Sequence, residues 1–329
     1  MLPTAFAVRC RAAVYRDTST QQCFVIAEEG ASDAVDRVLA DVESISVTDP
    51  EPAARPARIE EEPPERFLAA VEAAREYISA GDIYQANLSR EWTATYTDEP
   101  EAASIYAALA DANPAPFAAS VAWRGKSIIS SSPERLLSVR DGTASTRPIA
   151  GTRPRSGDRA RDEQLSGELF SDPKERAEHV MLIDLERNDL GRICEPGSVR
   201  VDEMMTLETY AHVHHIVSNV SGTIRPDVTP GQAIAAVFPG GTITGCPKVR
   251  CMQIIAALEQ GPRGAYTGSI GYLNRDGSLD LNILIRTMVL DGNRLTFRAG
   301  SGIVADSKPD LELAETRAKA EGLKRALAR

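Results

Sequence analysis

Apolar residues recur along this chain with two different periods, and the alternation between them outlines the elements. Phe67, Leu68, Val71, Ala74 and Ile78 stand three and four apart, the spacing of one helical face, and Gly81 follows as a stop. Further helices are predicted near 174–190, 230–238, 247–259 and 309–327. From about 115 to 147 the chain turns to short strand-like runs, two of them joined by Asp141-Gly142, a dipeptide suited to a tight hairpin turn. The same dipeptide returns at Asp276-Gly277 and Asp291-Gly292, which predicts a three-strand antiparallel meander between about 265 and 305. Strand blocks mixed with helical blocks, without regular βαβ alternation, indicate an α+β fold rather than a doubly wound one. Pro50, Pro52, Pro56, Pro63 and Pro64 among several acids read as an exposed linker. The expected organisation is therefore a short N-terminal segment and linker over 1–60 and one larger domain over 61–329.

Composition narrows the function classes. A chain of 329 residues, 43% of them hydrophobic, suffices for two average domains or one large two-layered domain. The net charge of -10 opposes nonspecific attraction to nucleic acid or to an anionic membrane, so any anionic ligand must meet a locally cationic pocket. Cys10, Cys23, Cys194, Cys246 and Cys251 are odd in number and lack close metal-ligand spacing, which suits reduced thiols in a reducing cytoplasm. No apolar run approaches the ~20 residues of a membrane span, and the first residues lack the basic and apolar regions of a secretory signal. A soluble, cytoplasmic protein is expected.

Two pairs of glutamates are the first chemical candidates. Glu175 with Glu178 and Glu312 with Glu315 are each spaced three apart within a predicted helix, so each pair lies on one helical face. Hard cations such as magnesium favour carboxylate and water oxygens, and two such helices could assemble a divalent-metal site; on charge alone a solvated helix face fits as well. The run Phe238 to Lys248, with Gly240, Gly241 and Gly245, leads into a helix, where backbone N–H groups and a lysine favour an anion, although ordinary turn glycines would look the same. Gly300-Ser301-Gly302 ends a strand shortly before Glu312 and offers backbone donors to a carboxylate. His212, His214 and His215 invite a zinc hypothesis, which strand alternation weakens, because His214 and His215 should face opposite ways. Arg286, within an apolar strand-like run, needs an anionic partner, either a structural salt bridge or a substrate carboxylate.

Several longer motifs, in order from roughly Arg66 to Lys324, resemble component I of the chorismate-utilising amidating enzymes, the aminodeoxychorismate and anthranilate synthases. They are Gly81-Asp82-Ile83-Tyr84-Gln85, Ser132-Pro133-Glu134-Arg135, Pro148-Ile149-Ala150-Gly151-Thr152, Asp184-Leu185-Glu186-Arg187-Asn188-Asp189, His215-Ile216-Val217-Ser218, the glycine loop before Lys248, and Asp306-Ser307-Lys308-Pro309. The resemblance implies two antiparallel-rich sheets packed as a sandwich with flanking helices. It also implies Mg2+ held by Glu178 and Glu315, with Glu175 and Glu312 supporting through water. Chorismate is a dianion: Arg286 and Tyr266 are then expected at its enolpyruvyl carboxylate, and Gly300, Ser301, Gly302 and Lys319 near its ring carboxylate. Glu134 is the implied general acid for the departing 4-hydroxyl, with His215 and Thr242 at the same oxygen.

Gln85 stands where relatives that add water carry a lysine base. An amide cannot abstract a proton from water, so ammonia is the implied nucleophile, and a glutamine amidotransferase subunit its source. At the position where many aminodeoxychorismate synthases carry a nucleophilic lysine this chain has Ala150, as anthranilate synthases do. The wording of Asp82 to Ser89, Phe238 to Gly241 and Gly268 to Leu273 resembles the aminodeoxychorismate side, and the tryptophan-sensing Leu-Leu-Glu-Ser motif is not visible. The resemblance therefore implies 4-amino-4-deoxychorismate, for p-aminobenzoate and folate synthesis, formed without a covalent lysine intermediate by way of 2-amino-2-deoxyisochorismate. The alternative is anthranilate with pyruvate, for tryptophan synthesis.

Overall fold

A computed structural model of the chain describes residues 2–45, 52–156, 158–209 and 213–328. They divide into two compact units, Met1–Glu51 and Pro52–Arg329. The first holds the antiparallel hairpin β1 (Ala12–Asp17) and β2 (Gln22–Ala27), followed by helix α1 (Ser32–Ser44). The second opens with β3 (Arg58–Glu61), α2 (Pro64–Ser79), β4 (Gln85–Thr95), α3 (Ala102–Ala112), β5 (Phe117–Trp123), β6 (Lys126–Ser132), β7 (Arg135–Arg140), β8 (Thr143–Arg147) and β9 (Ile149–Pro154). Next come α4 (Arg159–Ser171), α5 (Pro173–Gly191), β10 (Arg200–Thr209), β11 (Val213–Thr223), α6 (Pro230–Val237), β12 (Gly245–Cys246) and α7 (Lys248–Glu259). The chain closes with β13 (Gly271–Leu273), β14 (Leu279–Asn282), β15 (Thr287–Asp291), β16 (Arg294–Ile303) and α8 (Pro309–Ala328).

Two seven-stranded antiparallel sheets form the frame of the larger unit. One runs β10-β11-β8-β7-β14-β13 with β9 also on β11, and the other β12-β4-β16-β15-β6-β5 with β3 also on β4. This is the expected α+β architecture, with helices flanking antiparallel sheets. Helices α3 and α8 cover the second sheet through Ile105, Leu109, Ala320, Leu323 and Leu327. Beneath them Trp92 and Phe297, directly opposed on β4 and β16, stack with ring centroids 5.7 Å apart, a cross-strand aromatic pair. Leu190 of α5 and Ala233 and Val237 of α6 cover the first sheet against Leu137 and Ala144. Helix α2 buries Phe67, Val71 and Ala74 of its stripe together with Ala70, while Leu68 and Ile78 are partly buried. It ends as the glycine predicts, since Gly81 N–H donates to Ile78 O and Asp82 N–H to Tyr77 O, with Gly81 at φ +81°.

Two expectations are corrected. Residues 58–61, expected in the linker, form edge strand β3 on β4, because Ala57 N–H and the Arg58–Glu61 backbone find partners along Thr95 to Trp92. The expected three-strand meander is instead two hairpins in different sheets. β14 pairs with β13 and β7, whereas β15 pairs with β16 and β6. Local turn signals report a reversal and not which sheet receives the next strand, and the apolar run Leu281 to Met288 spans the passage from one sheet to the other.

That passage lies beside a second one, from β6 to β7. The two are laced together: Ser131 N–H donates to Arg286 O at 3.1 Å, Ile283 N–H to Glu134 O at 3.0 Å, and Ser132 Oγ to Ile283 O at 2.5 Å. Glu134 and Arg286 thus occupy adjacent crossings between the sheets.

Candidate active site

Glu134 is a strongly perturbed acid of this region. It is buried, and burial is the main cause that pushes its carboxyl from 4.5 up to about 7, the nearby Glu186 adding to the effect. Thr242 Oγ donates to Glu134 Oε1 at 2.8 Å, which opposes the rise, as does the positive charge of Arg286. Arg286 lies not within a strand, as the apolar run suggests, but at a bend with φ +51°. A left-handed backbone at an arginine is strained, and such strain is retained where the surroundings fix it. Burial pushes the Arg286 guanidinium below its ordinary value, so it is an incompletely solvated cation facing the site, with Glu134 pulling the other way.

His215 is buried on β11, and its Nδ1 is 3.2 Å from Gly151 O. A carbonyl only accepts, so Nδ1 carries the proton and Nε2 the lone pair. Burial and the charge of Arg286 push this imidazole down to about 4, leaving it neutral at physiological pH. His214 engages different partners, Asp162 Oδ1 at 3.0 Å through Nε2 and Thr209 Oγ1 through Nδ1, in keeping with strand alternation. His212 lies outside the described residues. Among the described residues no group of three or more His, Cys, Asp or Glu side chains gathers to hold a metal.

The glycine loop proves to be a packing device. A Cβ on Gly240 would fall 2.8 Å from Ile283 Cδ1, and one on Gly241 would fall 2.6 Å from Leu185 Cδ2. Lys248, expected to favour an anion, instead pairs with Asp189 and donates to Val237 O, so its charge is already neutralised. What the loop delivers to the site is Thr242. Glu186, which sequence reasoning left without a role, receives Gly241 N–H at 3.3 Å and is pushed up to about 7 by burial and then by Asp189. The signal for it was present: Glu186 falls one turn from Leu182, Ile183 and Leu190, where the helical period calls for an apolar residue.

Glu175 and Glu178 lie on α5, and Glu312 and Glu315 on α8. Glu175 Oε1 pairs with Arg153 at 3.1 Å, while its Oε2 is 3.0 Å from where a Cβ on Gly151 would be. Gly151 O in turn accepts from His215, and His215 feels the charge of Lys319. Lys319 Nζ pairs with Glu315 Oε1 at 2.6 Å and donates to Gly300 O at 3.1 Å. Glu312 is buried and accepts from Ser301 Oγ. A chain of neighbours through Gly151, His215 and Lys319 thus connects Glu175 of α5 with Glu315 of α8. Magnesium keeps several waters and takes one or two carboxylates plus substrate oxygens, a demand these hard donors fit without a complete protein cage.

On the opposite wall β4 and β16 run side by side. Gln85 packs on Gly302, and Asn87 Oδ1 and the Tyr266 hydroxyl are 2.6 and 2.8 Å from where a Cβ on Gly300 would stand. Tyr266 is buried, which raises its hydroxyl to about 12 and keeps it a proton donor. Ala150 lies on β9 opposite Ile216. The structure thus gathers Glu134, Thr242 and Arg286, links His215 to Lys319 and Glu315, and sets Gln85 and Tyr266 against the glycine strand.

Comparison with known proteins identifies the family. The model of the chorismate binding enzyme family matches residues 2–325. An anthranilate synthase component I-like protein of Synechocystis is 49% identical over 265 residues, covering 80% of this chain and 54% of the relative. Aminodeoxychorismate synthase component 1 of Bacillus subtilis is 48% identical over 261 residues, covering 79% of this chain and 55% of the relative. The chain spans about half the length of these curated relatives. The crystal structure of anthranilate synthase component I from Streptococcus pneumoniae superposes with a TM-score of 0.86 at 35% identity, covering 95% of this chain and 72% of that one. Both synthase names occur among relatives of similar identity, and the family model spans nearly the whole sequence: the chain belongs to the chorismate-binding enzymes.

Proposed function

We propose that this chain aminates chorismate to 4-amino-4-deoxychorismate, with ammonia supplied by a glutamine amidotransferase partner, for p-aminobenzoate and folate synthesis. The observation that carries the choice of nucleophile is Gln85, a buried amide at the position of the base in water-adding relatives. Neither of its ends takes a proton from water at neutral pH, whereas ammonia attacks without a base. The wording around Gln85 and the glycine loop supports aminodeoxychorismate as product.

Arg286 and the Tyr266 hydroxyl bind and orient the enolpyruvyl carboxylate, a task suited to a planar donor fork and a buried phenol. Lys319 and the Gly300–Gly302 backbone meet the ring carboxylate. Glu178 and Glu315 would hold Mg2+, with Glu175 and Glu312 supporting through water, and the bound ion would neutralise the ring carboxylate and ease loss of the 4-hydroxyl. Glu134, protonated over much of its population near neutral pH because its carboxyl sits at about 7, donates the proton with which that hydroxyl leaves as water. Thr242 orients the acid through its 2.8 Å bond, and neutral His215 accepts at the same oxygen. Ala150 offers no nucleophile. Ammonia therefore adds at C2 as the ring diene shifts and the 4-hydroxyl departs, giving 2-amino-2-deoxyisochorismate. A second ammonia then adds at C4 with loss of the first.

Ala150 also favours a second reading, anthranilate synthesis, in which the same intermediate loses pyruvate. Incubation with chorismate, Mg2+ and an ammonium salt, followed by mass analysis, separates the two. Aminodeoxychorismate is the expected product; anthranilate and pyruvate without it would overturn the assignment.

A further inference from the structure

Two carbonyl oxygens in this wall stand out among the described residues. Gln85 Oε1 and Asn87 Oδ1 are both buried and meet no hydrogen-bond donor among the described residues. An orphaned buried acceptor is costly, about 1–3 kcal/mol, and is retained where something else supplies the donor. The two residues are two apart on β4 and so share one sheet face. That face is the one cleared by Gly300 and Gly302: each amide lies where a Cβ on the adjoining strand would collide with it. The backbone beneath them is fixed, since Asn87 N–H donates to Thr244 O at 2.8 Å and Arg263 Nη2 donates to Asn87 O at 2.6 Å. Ala86 and Leu88 point the other way, into the apolar core. Two amides with unpartnered oxygens thus stand on one face of a rigid strand, each against a glycine of β16, at the wall assigned to substrate.

We infer that Asn87 and Gln85 together form the receptor for the nitrogen nucleophile, an inference that rests on the functional reading above and assigns Asn87 a role of its own. Ammonia has three N–H donors and one lone pair. Two carbonyl oxygens engage two of its hydrogens and leave the lone pair to form the C–N bond. As that bond forms the nitrogen becomes cationic, and both carbonyl dipoles stabilise the developing charge where no carboxylate is required. The hydroxyl leaves with the Glu134 proton, and the surplus proton of the new ammonium group passes to solvent, so charge and atoms balance. Water would sit in the same cradle, but it stays inert because neither amide accepts its proton.

The test is steady-state kinetics at fixed pH, with ammonium varied at saturating chorismate and chorismate varied at saturating ammonium, for wild type, Asn87→Leu, Asn87→Ala and Gln85→Leu. Leucine matches the native asparagine closely in volume, and alanine is free of overpacking should the branched side chain perturb the fold. Loss of one acceptor leaves an N–H donor of the bound nucleophile unpaired and raises the ammonium KM about tenfold to a hundredfold in each variant, while the chorismate KM stays within about threefold. An ammonium KM changed less than about fivefold in both Asn87 variants, or a chorismate KM raised by the same factor as the ammonium KM, overturns the proposal alone. Failure of the wild-type protein to consume chorismate with ammonium overturns the functional reading and this proposal with it.

Discussion

Replacing Glu134 with glutamine tests the acid role and the cause of its perturbed ionisation together. The carboxyl rises from 4.5 to about 7 chiefly because it is buried, so at each tenfold change in proton affinity, ~1.4 kcal/mol, the folded protein favours the neutral form by about 3 kcal/mol. Because the folded value lies above the unfolded one, the stability this group contributes is fully present below about pH 4.5. It is lost as the pH climbs through about 7. Glu134→Gln keeps an acceptor for Thr242 but never ionises. Its unfolding free energy, measured by urea denaturation at pH 4.5 and pH 8, should fall less between the two than that of wild type, by about 3 kcal/mol. The same ionisation should appear in catalysis. Wild-type kcat/KM for chorismate, measured at constant free ammonia, should decline above about pH 7 as the acid loses its proton. The variant should be roughly a hundredfold to ten-thousandfold slower and lack that limb. A wild-type profile flat from about pH 6 to 9, or a variant within tenfold of wild type, would refute the assignment of Glu134 as the acid.

Glu178→Gln and Glu315→Gln should each abolish turnover and weaken Mg2+ binding measured by calorimetry at least about tenfold; a fully active variant that binds the ion normally would contradict the placement of the metal. Gly300→Ala places a Cβ 2.6 Å from Asn87 Oδ1 and 2.8 Å from both Leu88 O and the Tyr266 hydroxyl, so it should lower stability by about 1–3 kcal/mol and raise the chorismate KM, seen by thermal melting and initial rates. Lys248→Met strands buried Asp189, whose carboxyl burial already pushes up, and should cost about 3–5 kcal/mol at pH 8. Part of that loss should return as the pH falls and Asp189 takes up a proton; a loss independent of pH would point to packing instead.

Much of the frame was legible because its signals are local. The stripe of α2, the stop at Gly81 and the Asp141-Gly142 turn each act within a few residues, and all are found. The helix spans near 174, 230, 247 and 309 were readable for the same reason. The sheet to which a strand belongs is a long-range property, so the passage at Arg286 looked like the interior of a strand. The charge of Lys248 was legible, but its partner Asp189 lies 59 positions away in sequence, and no local pattern links them. Helix α3, rich in alanine with little polar contrast, gave no clear periodic stripe, although Ile105 and Leu109 are fully buried. Among the site residues, Glu134, Gln85 and His215 were reached through long motifs. Asn87 and Glu186 lay inside those motifs without a role, because an unsatisfied carbonyl and a buried carboxyl become visible only when their surroundings are known.

The paired crossings at Glu134 and Arg286 make the proposed reaction centre a seam between two separately cored sheets. A folding intermediate with one sheet formed would bring neither group to the other, so chemistry is available only once both sheets have docked. Activity is then a readout of the completed fold, and damage to either core, however distant, reaches the acid and its guanidinium neighbour through the same three hydrogen bonds.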